Sequence, residues 1–198
     1  MRVSDDRYSR DRLRLDLALR FIRHEARTRT IRAWTGLTDD RIRKLYRSYF
    51  AHPGRAVVRP RGKSPQQTAF FTRSPRLQLE AALLASLCSL LGALPPGSTL
   101  RGRVEPCVAL GELLCQAYEA YRLIVPAPRI SFEQLVLLLA ALTRGDELKL
   151  ACCPGCGALL VIERLAWREL RCLDCASEPE SSVAVTPLIV GTKPEGAR

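Results

Sequence analysis

The amino-acid sequence predicts a mainly α-helical fold with a helix-turn-helix-like N-terminal segment and a small cysteine-rich unit near the C-terminus. Three observations support this fold class. Apolar residues recur at the spacing of helix faces along much of residues 10–144. Two Cys-x-x-Cys pairs lie close together within Leu150–Ala176. Basic residues concentrate before residue 77, around a short glycine-containing turn between two helical patterns.

The cysteine pairs are Cys153-Pro-Gly-Cys156 and Cys172-Leu-Asp-Cys175, separated by residues 157–171. This spacing is typical of tetrahedral zinc sites, in which two turns each supply two thiolates. The sequence therefore predicts one Zn²⁺ ion per chain, held by these four side chains. Four thiolates leave no open position for water, so the ion is expected to be structural. Cys152 is left out, because only Cys153 gives the two-residue gap to Cys156.

Leu159–Ile162 are expected to form a strand leaving the first pair, and Trp167–Leu170 a strand returning to the second. A hairpin with both ends clamped to one metal is a zinc ribbon. Two disulfides would instead need an oxidising compartment. A thioredoxin-like redox site would need one Cys-x-x-Cys beside a βαβ pattern, which the sequence lacks.

Composition narrows the class of protein. The chain has 198 residues, of which 47% are hydrophobic, so it can bury one or two real cores. No apolar run is long enough to span a bilayer, and the first residues lack the apolar region of a secretory signal. Eight cysteines without such a signal favour a cytoplasmic location. Three of them lie in apolar helical surroundings and are expected to be buried: Cys88, Cys107 and Cys115.

The charge is distributed unevenly. The formal net charge is +11. Residues 1–76 carry 20 Lys and Arg against 7 Asp and Glu, whereas residues 77–198 carry 11 and 13. Such an asymmetry favours contact with a polyanion, and the many arginines favour phosphate groups. Double-stranded DNA is the expected partner; the alternative is a solvated surface that only maintains solubility.

Residues 10–27 predict an amphipathic helix, with Leu13, Leu17 and Phe21 recurring at intervals of four. His24 has no partner pattern nearby. We interpret His24 as a surface or packing residue rather than a ligand.

Residues 28–50 predict two helices joined by a short turn. Gly36 can adopt the positive φ that ends a helix, and Thr38 can cap the next one. This is the helix-turn-helix layout, in which the second helix enters the major groove. Its outer face carries the candidate DNA-binding residues Arg41, Arg43, Lys44 and Arg47. The alternative is an ordinary helical hairpin with a basic face.

A Pro/Gly-rich basic loop follows at residues 51–65, where Arg59 and Arg61 are further candidates for contact with the phosphate backbone. Three more helices are then expected, over residues 68–94, 107–125 and 131–145. The first of these is apolar nearly all round and is expected to be buried. The predicted organisation is 1–63 (basic helical region and loop), 64–146 (buried helical core), 147–177 (four-cysteine zinc ribbon) and 178–198 (flexible tail).

The order of these parts resembles the flagellar transcriptional activator FlhC family. The resemblance covers roughly residues 10–176. Most of it is carried by Lys44-Leu45-Tyr46, by Ser64-Pro65 after the basic loop and by the Cys153-x-x-Cys156-Gly157 knuckle. The position of the knuckles after an all-helical region makes the match specific.

This resemblance implies a cytoplasmic DNA-binding regulator that activates flagellar promoters in a hetero-oligomer with an FlhD-like protein. It also implies one structural zinc on the four cysteines named above. No small-molecule substrate is expected, since the sequence shows no catalytic constellation. Two other functions stay open. One is a zinc-stabilised assembly module that does not bind DNA; the other is a zinc or thiol enzyme, although no His or carboxylate is paired with a cysteine.

Overall fold

The computed structural model describes residues 3–50, 57–58, 60, 62–94, 104–166 and 171–177. This part of the chain is mainly helical, which confirms the predicted class. It contains seven α-helices, one 3-10 helix over Thr68–Phe71 and one two-stranded sheet. In chain order the helices and strands are α1 (Val3–Arg23), α2 (Thr28–Thr35), α3 (Asp39–Phe50), α4 (Pro75–Leu90), α5 (Val108–Ile124), α6 (Phe132–Arg144), β1 (Leu148–Cys152), β2 (Leu159–Glu163) and α7 (Leu173–Ser177).

Several predicted features lie outside the described residues. They are most of the basic loop with Arg59 and Arg61, the expected strand Trp167–Leu170 and the tail 178–198. Among the helices that are described, none has the combination of length and apolar character that crossing a membrane requires.

Helix α1 begins earlier and ends earlier than the sequence indicated. Its buried face carries Leu17 and Phe21 as expected, whereas Leu13 is exposed. The row of buried apolar residues is therefore one helical turn shorter than predicted. The guanidinium of Arg20 anchors α1 to α5 through two carboxylates, those of Glu112 and Glu119. The Arg20 Nη2–Glu119 Oε2 distance is 2.8 Å.

His24 is a packing residue, in agreement with the sequence analysis. Its ring stacks on Phe132 of α6 with the centroids 5.4 Å apart, and its Nε2 lies 3.0 Å from Glu119 Oε1. Burial lowers the pKa of His24 below its ordinary value, and this outweighs the opposing effect of the Glu119 carboxylate. The imidazole therefore contributes aromatic packing between α1, α5 and α6.

The turn between α2 and α3 forms as its residues predict. Gly36 has φ of +70° and donates its N–H to the Arg32 carbonyl at 2.9 Å, which ends α2. The Thr38 hydroxyl accepts the N–H of Arg41 at 3.4 Å and caps α3. The two helices pack through buried side chains on both sides of the turn, namely Ile31, Leu37 and Ile42.

Helices α4 and α6 each begin directly after a capping serine, although α4 starts at Pro75, later than the predicted residue 68. The Ser74 hydroxyl accepts the N–H of Leu77 at 3.3 Å, and Ser131 and Gln134 form a reciprocal capping box. The expectation that α4 is buried on all sides is wrong. Leu79 is 60% exposed and Leu90 is 82% exposed, because the other helices cover only part of the α4 surface.

A buried carboxylate joins α4, α5 and the segment before α6. Glu80 is only 3% exposed and accepts hydrogen bonds from the Arg129 N–H at 2.9 Å, from Arg76 Nε at 3.0 Å and from the Tyr121 hydroxyl. The Tyr121 oxygen in turn accepts the N–H of Ile130 at 3.2 Å. Burial alone would raise the pKa of Glu80, but these donors hold it below its ordinary value.

One hydrophobic core extends from α1 to β2 and includes side chains from both sides of residue 63. The proposed division of the chain at that residue stays a prediction. Cys88 and Cys115 are buried in this core, and burial raises the pKa of each thiol to about 12. Cys107 was expected to be buried as well, but it lies exposed at the residue that precedes α5.

We predict that Tyr121→Phe lowers the free energy of unfolding by about 1–3 kcal/mol, because it leaves the Glu80 carboxylate and the Ile130 N–H without one buried partner each. Urea unfolding followed by circular dichroism measures this change. The matched control is Tyr49→Phe, whose residue is 59% exposed and which should change stability by less than about 0.5 kcal/mol. Equal stability of the two variants would contradict a stabilising role for the Glu80 network.

Candidate metal centre and basic helix face

The first cysteine pair lies at the tip of the β1–β2 hairpin. The strands pair antiparallel and end at Cys152 opposite Leu159. Beyond this pair, the Cys153 N–H donates to the Ala158 carbonyl at 2.8 Å, and the Gly157 N–H donates back to the Cys153 carbonyl at 2.8 Å. Gly157 has φ of +75°, a conformation that glycine adopts without strain. The tight turn leaves Cys153 and Cys156 projecting from one end of the hairpin.

This hairpin contains a strand, β1, that the sequence analysis did not predict. The strand at Leu159–Glu163 forms, and it pairs with β1, which precedes the first cysteine pair. The second strand of the predicted ribbon, at Trp167–Leu170, lies outside the described residues, so that pairing stays a prediction.

The second cysteine pair lies on a helical turn. Cys172 immediately precedes α7, and Cys175 belongs to it. The Cys175 N–H donates to Cys172 Sγ at 3.4 Å, and the Ala176 N–H donates to the Cys172 carbonyl at 2.9 Å. The Cys172 N–H also donates to Cys153 Sγ at 3.3 Å, which joins the two pairs directly.

The four sulfur atoms lie within 4.8 Å of one another and could hold a metal ion. The Sγ atoms of Cys156 and Cys172 are 3.5 Å apart. A tetrahedron with metal–sulfur bonds of about 2.3 Å has edges of about 3.8 Å, so the cluster is compatible with a zinc site. Cys152 is exposed on β1 and does not belong to this group, as its spacing predicted.

Electrostatics within the cluster also favour a bound cation. The N–H group of Cys172 stabilises the Cys153 thiolate and lowers the pKa of Cys153 to about 6. The pKa of Cys175 is raised by hydrogen bonds with the neighbouring thiols, and the largest effect comes from Cys172. Ionising all four thiols without a cation is unfavourable, because the neighbouring thiolates repel one another. A divalent cation between them would stabilise every thiolate.

Gly155 is a residue of the site that the sequence analysis missed. A Cβ atom at this position would lie 2.9 Å from Cys175 Sγ, so any larger residue would push against a candidate ligand. The signal was present in the sequence, since Pro154-Gly155 fills the gap between the first two cysteines. A glycine between two ligands indicates close approach by another part of the chain.

The hairpin is attached to the helical core on the side of α4. Val161 of β2 is fully buried in the main core, and its carbonyl accepts a hydrogen bond from Gln78 Nε2 at 3.1 Å. The Thr72 hydroxyl donates to Glu163 Oε1 at 2.8 Å. The cysteine cluster therefore extends from a strand pair whose position α4 fixes.

The predicted DNA-binding face of α3 is exposed. Ile42 and Tyr46 of α3 are buried, whereas the basic side chains Arg41, Arg43, Lys44 and Arg47 all lie on the exposed side. These four residues therefore share an accessible surface next to the turn at residues 36–38.

The basic side chains differ in their ion pairs. Arg41 Nη1 lies 3.8 Å from Asp11 Oδ2 of α1, and Arg43 Nη1 lies 2.8 Å from Asp40 Oδ1. Within the described part of the chain, Lys44 and Arg47 form no ion pair, so their charges are not neutralised by nearby carboxylates. Exposed pairs of this kind contribute at most about 1 kcal/mol, so Arg41 and Arg43 can exchange their partners for a phosphate or a base.

No known family model matches the sequence, and no curated protein shows significant similarity to it.

We predict that the protein binds one metal ion per chain and that Cys172→Ser loses it, because three thiolates hold such an ion far more weakly than four. Elemental analysis of the purified protein measures the metal content. The same variant should lose ordered structure in the β1–β2 hairpin, since metal binding free energy there contributes to folding.

The matched control is Cys152→Ser, a change to an exposed cysteine next to the cluster but outside it. This variant should keep a full equivalent of metal. An equal metal content in both variants would exclude the proposed ligand set.

Proposed function

We propose that this protein is a DNA-binding transcriptional regulator that resembles the flagellar activator FlhC and activates flagellar or motility promoters. The observation that carries the proposal is the arrangement of α2, a turn at residues 36–38 and α3, with four basic side chains on the outer face of α3. This arrangement fits a helix-turn-helix unit, whose second helix enters the major groove of duplex DNA.

In the proposed mechanism, α3 is the recognition helix. It has 12 residues, and at about 1.5 Å per residue it is about 18 Å long, enough to lie in the major groove. Lys44 and Arg47 neutralise phosphates, and Arg43 is available for a base edge once it leaves Asp40. Asp39 and Asp40 in the first turn interact favourably with the helix dipole but repel phosphates. The contacts should therefore come from the middle and the C-terminal half of α3.

The metal is proposed to be Zn²⁺, bound by Cys153, Cys156, Cys172 and Cys175. A full set of four thiolates suits a closed tetrahedral site, which stabilises structure and has no position for substrate. The zinc would hold α7 against the tip of the β1–β2 hairpin. We therefore propose that the protein acts by binding, without catalysing a reaction.

A partner protein belongs to the same proposal. The resemblance implies a hetero-oligomer with an FlhD-like protein in the cytoplasm. The exposed leucines of α4 support a partner surface, because Leu79 and Leu90 lie eleven residues apart, close to three helical turns, and so project from the same side. Leu123 and Ile124 at the end of α5 are exposed as well.

The same leucines favour a second candidate function, a zinc-stabilised assembly module that does not contact DNA directly. Apolar side chains exposed to solvent are common on interaction surfaces. The two functions differ in their response to salt. Direct contact with phosphates makes binding to duplex DNA fall steeply with salt concentration, whereas an assembly module shows no such binding.

For the DNA, we predict that Arg43→Ala weakens binding to a promoter duplex by about 1–3 kcal/mol if Arg43 contacts a guanine edge. Preference at one base position should relax, while binding to a scrambled duplex changes little. Fluorescence titrations of both duplexes at several salt concentrations measure these effects.

The control for this prediction is Arg47→Ala, which removes one charge from the same exposed face. A contact between Arg47 and phosphate predicts equal weakening on both duplexes and a salt slope smaller by about 0.9. If neither variant alters binding at low salt, α3 is not the DNA-contacting helix.

For the partner, we predict that the tagged protein co-purifies from its source cells with an FlhD-like protein at fixed stoichiometry. Native mass analysis reports the partner, the stoichiometry and the zinc content together. Recovery of a stable monomer that binds its promoter with full affinity would contradict the hetero-oligomer.

A further inference from the structure

A basic cleft of about 870 Å³ opens between the start of α2 and a wall that contains Pro60 and residues 62–66. Its walls include three cationic side chains, those of Arg27, Arg29 and Lys63, together with polar Ser64 and Gln66. None of its described lining residues is acidic or aromatic. A cleft of this composition suits an anionic group, and its described lining has no aromatic ring on which a base could stack.

Arg27 fixes the shape of this cleft. Its Nη1 donates to the Gly62 carbonyl at 2.6 Å, which attaches residues 62–66 to the start of α2. The buried carboxylate of Glu133 accepts the Arg27 N–H at 2.8 Å and lies 3.8 Å from its Nε. The charge of Arg27 is therefore partly balanced, and Arg27 acts mainly as a positioning residue.

The charges available to a ligand are those of Arg29 and Lys63. Both residues are exposed, and neither forms an ion pair with any other residue that the structure describes. The first turn of α2 contains no acidic residue of its own, although the Glu133 carboxylate accepts the N–H of Arg27 just before it. The remaining N–H groups at the start of α2 add a partial positive charge to those of the two side chains.

The cleft lies beside the C-terminal half of α3. The Tyr46 hydroxyl donates to the Ala26 carbonyl at 3.2 Å, which brings the last turns of α3 against the residues that precede α2. Arg47 follows Tyr46 on the exposed side of α3. The start of α2, which lines the cleft, and the last turns of α3 are therefore neighbours in the fold.

We propose that this cleft binds a backbone phosphate of the same DNA duplex whose major groove α3 enters. Arg29 and Lys63 neutralise the phosphodiester, and the start of α2 orients it. This contact fixes the position of α3 along the groove without reading the sequence. The inference rests on the proposed function, since it assigns a second contact of the DNA already proposed for α3.

The experiment compares the full-length, metal-loaded protein with the double variant Arg29→Gln/Lys63→Gln. Each protein is titrated with a promoter duplex and with a scrambled duplex over a range of salt concentrations. The matched control is Arg129→Gln/Lys149→Gln, which removes two positive charges from the loop before α6 and from β1. All four residues lie away from the hydrophobic core, so the thermal midpoints should match that of the unaltered protein.

The cleft variant should reduce the salt slope by about two on both duplexes, with no change in the ratio of the two affinities. The control should leave the slope close to that of the unaltered protein. The charge-retaining variant Arg29→Lys/Lys63→Arg should restore most of the slope. Equal slopes for the cleft variant and the control would overturn the cleft assignment while leaving DNA binding by α3 intact. An unaltered protein without salt-dependent duplex binding would overturn the proposed function and this inference with it.

Discussion

The buried carboxylate of Glu80 holds three parts of the helical core together. An ionised group with 3% exposure is stable only when donors surround it, and here they come from α4, from α5 and from the segment before α6. Two of these contacts, the Arg129 N–H and the hydroxyl of Tyr121, fix the backbone at residues 129–130. That backbone leads directly into the capped start of α6 at Ser131.

The start of α6 then positions the N-terminal helices. Phe132 packs against Phe21 of α1 with ring centroids 4.8 Å apart, and Glu133 accepts the N–H of Arg27 at the start of α2. A single network thus connects the α4 helix, which holds the β1–β2 hairpin, with the α2–α3 unit that carries the basic face. The candidate metal site packs on a small apolar cluster of its own, formed by Cys153, Leu160 and Ile162, whereas the basic face belongs to the main core. The attachment of the hairpin to α4 sets their relative position.

Features encoded by a few neighbouring residues could be predicted from the sequence. The positive φ of Gly36 and the capping hydroxyl of Thr38 define the turn between α2 and α3. The spacing of the cysteines identified the four whose sulfur atoms lie together in the structure. Features set by tertiary packing could not be predicted in this way. Helix α4 is apolar on every side, so its periodicity does not show which face stays open at Leu79 and Leu90. The pairing of β2 with β1 was not predicted, because β1 has only five residues and no strong sequence pattern of its own.

The proposed function requires that the exposed face of α3 contacts duplex DNA, and the cleft inference adds a contact at the adjacent start of α2. Hydrogen–deuterium exchange of the metal-loaded protein, with and without a promoter duplex at low salt, examines both segments in one experiment. We expect slower amide exchange in residues 28–30 and 43–50 on addition of DNA, with little change in the β1–β2 hairpin. Tight binding without any slowing in α2 and α3, or with slowing confined to the hairpin or to α4, would show that DNA contacts another surface.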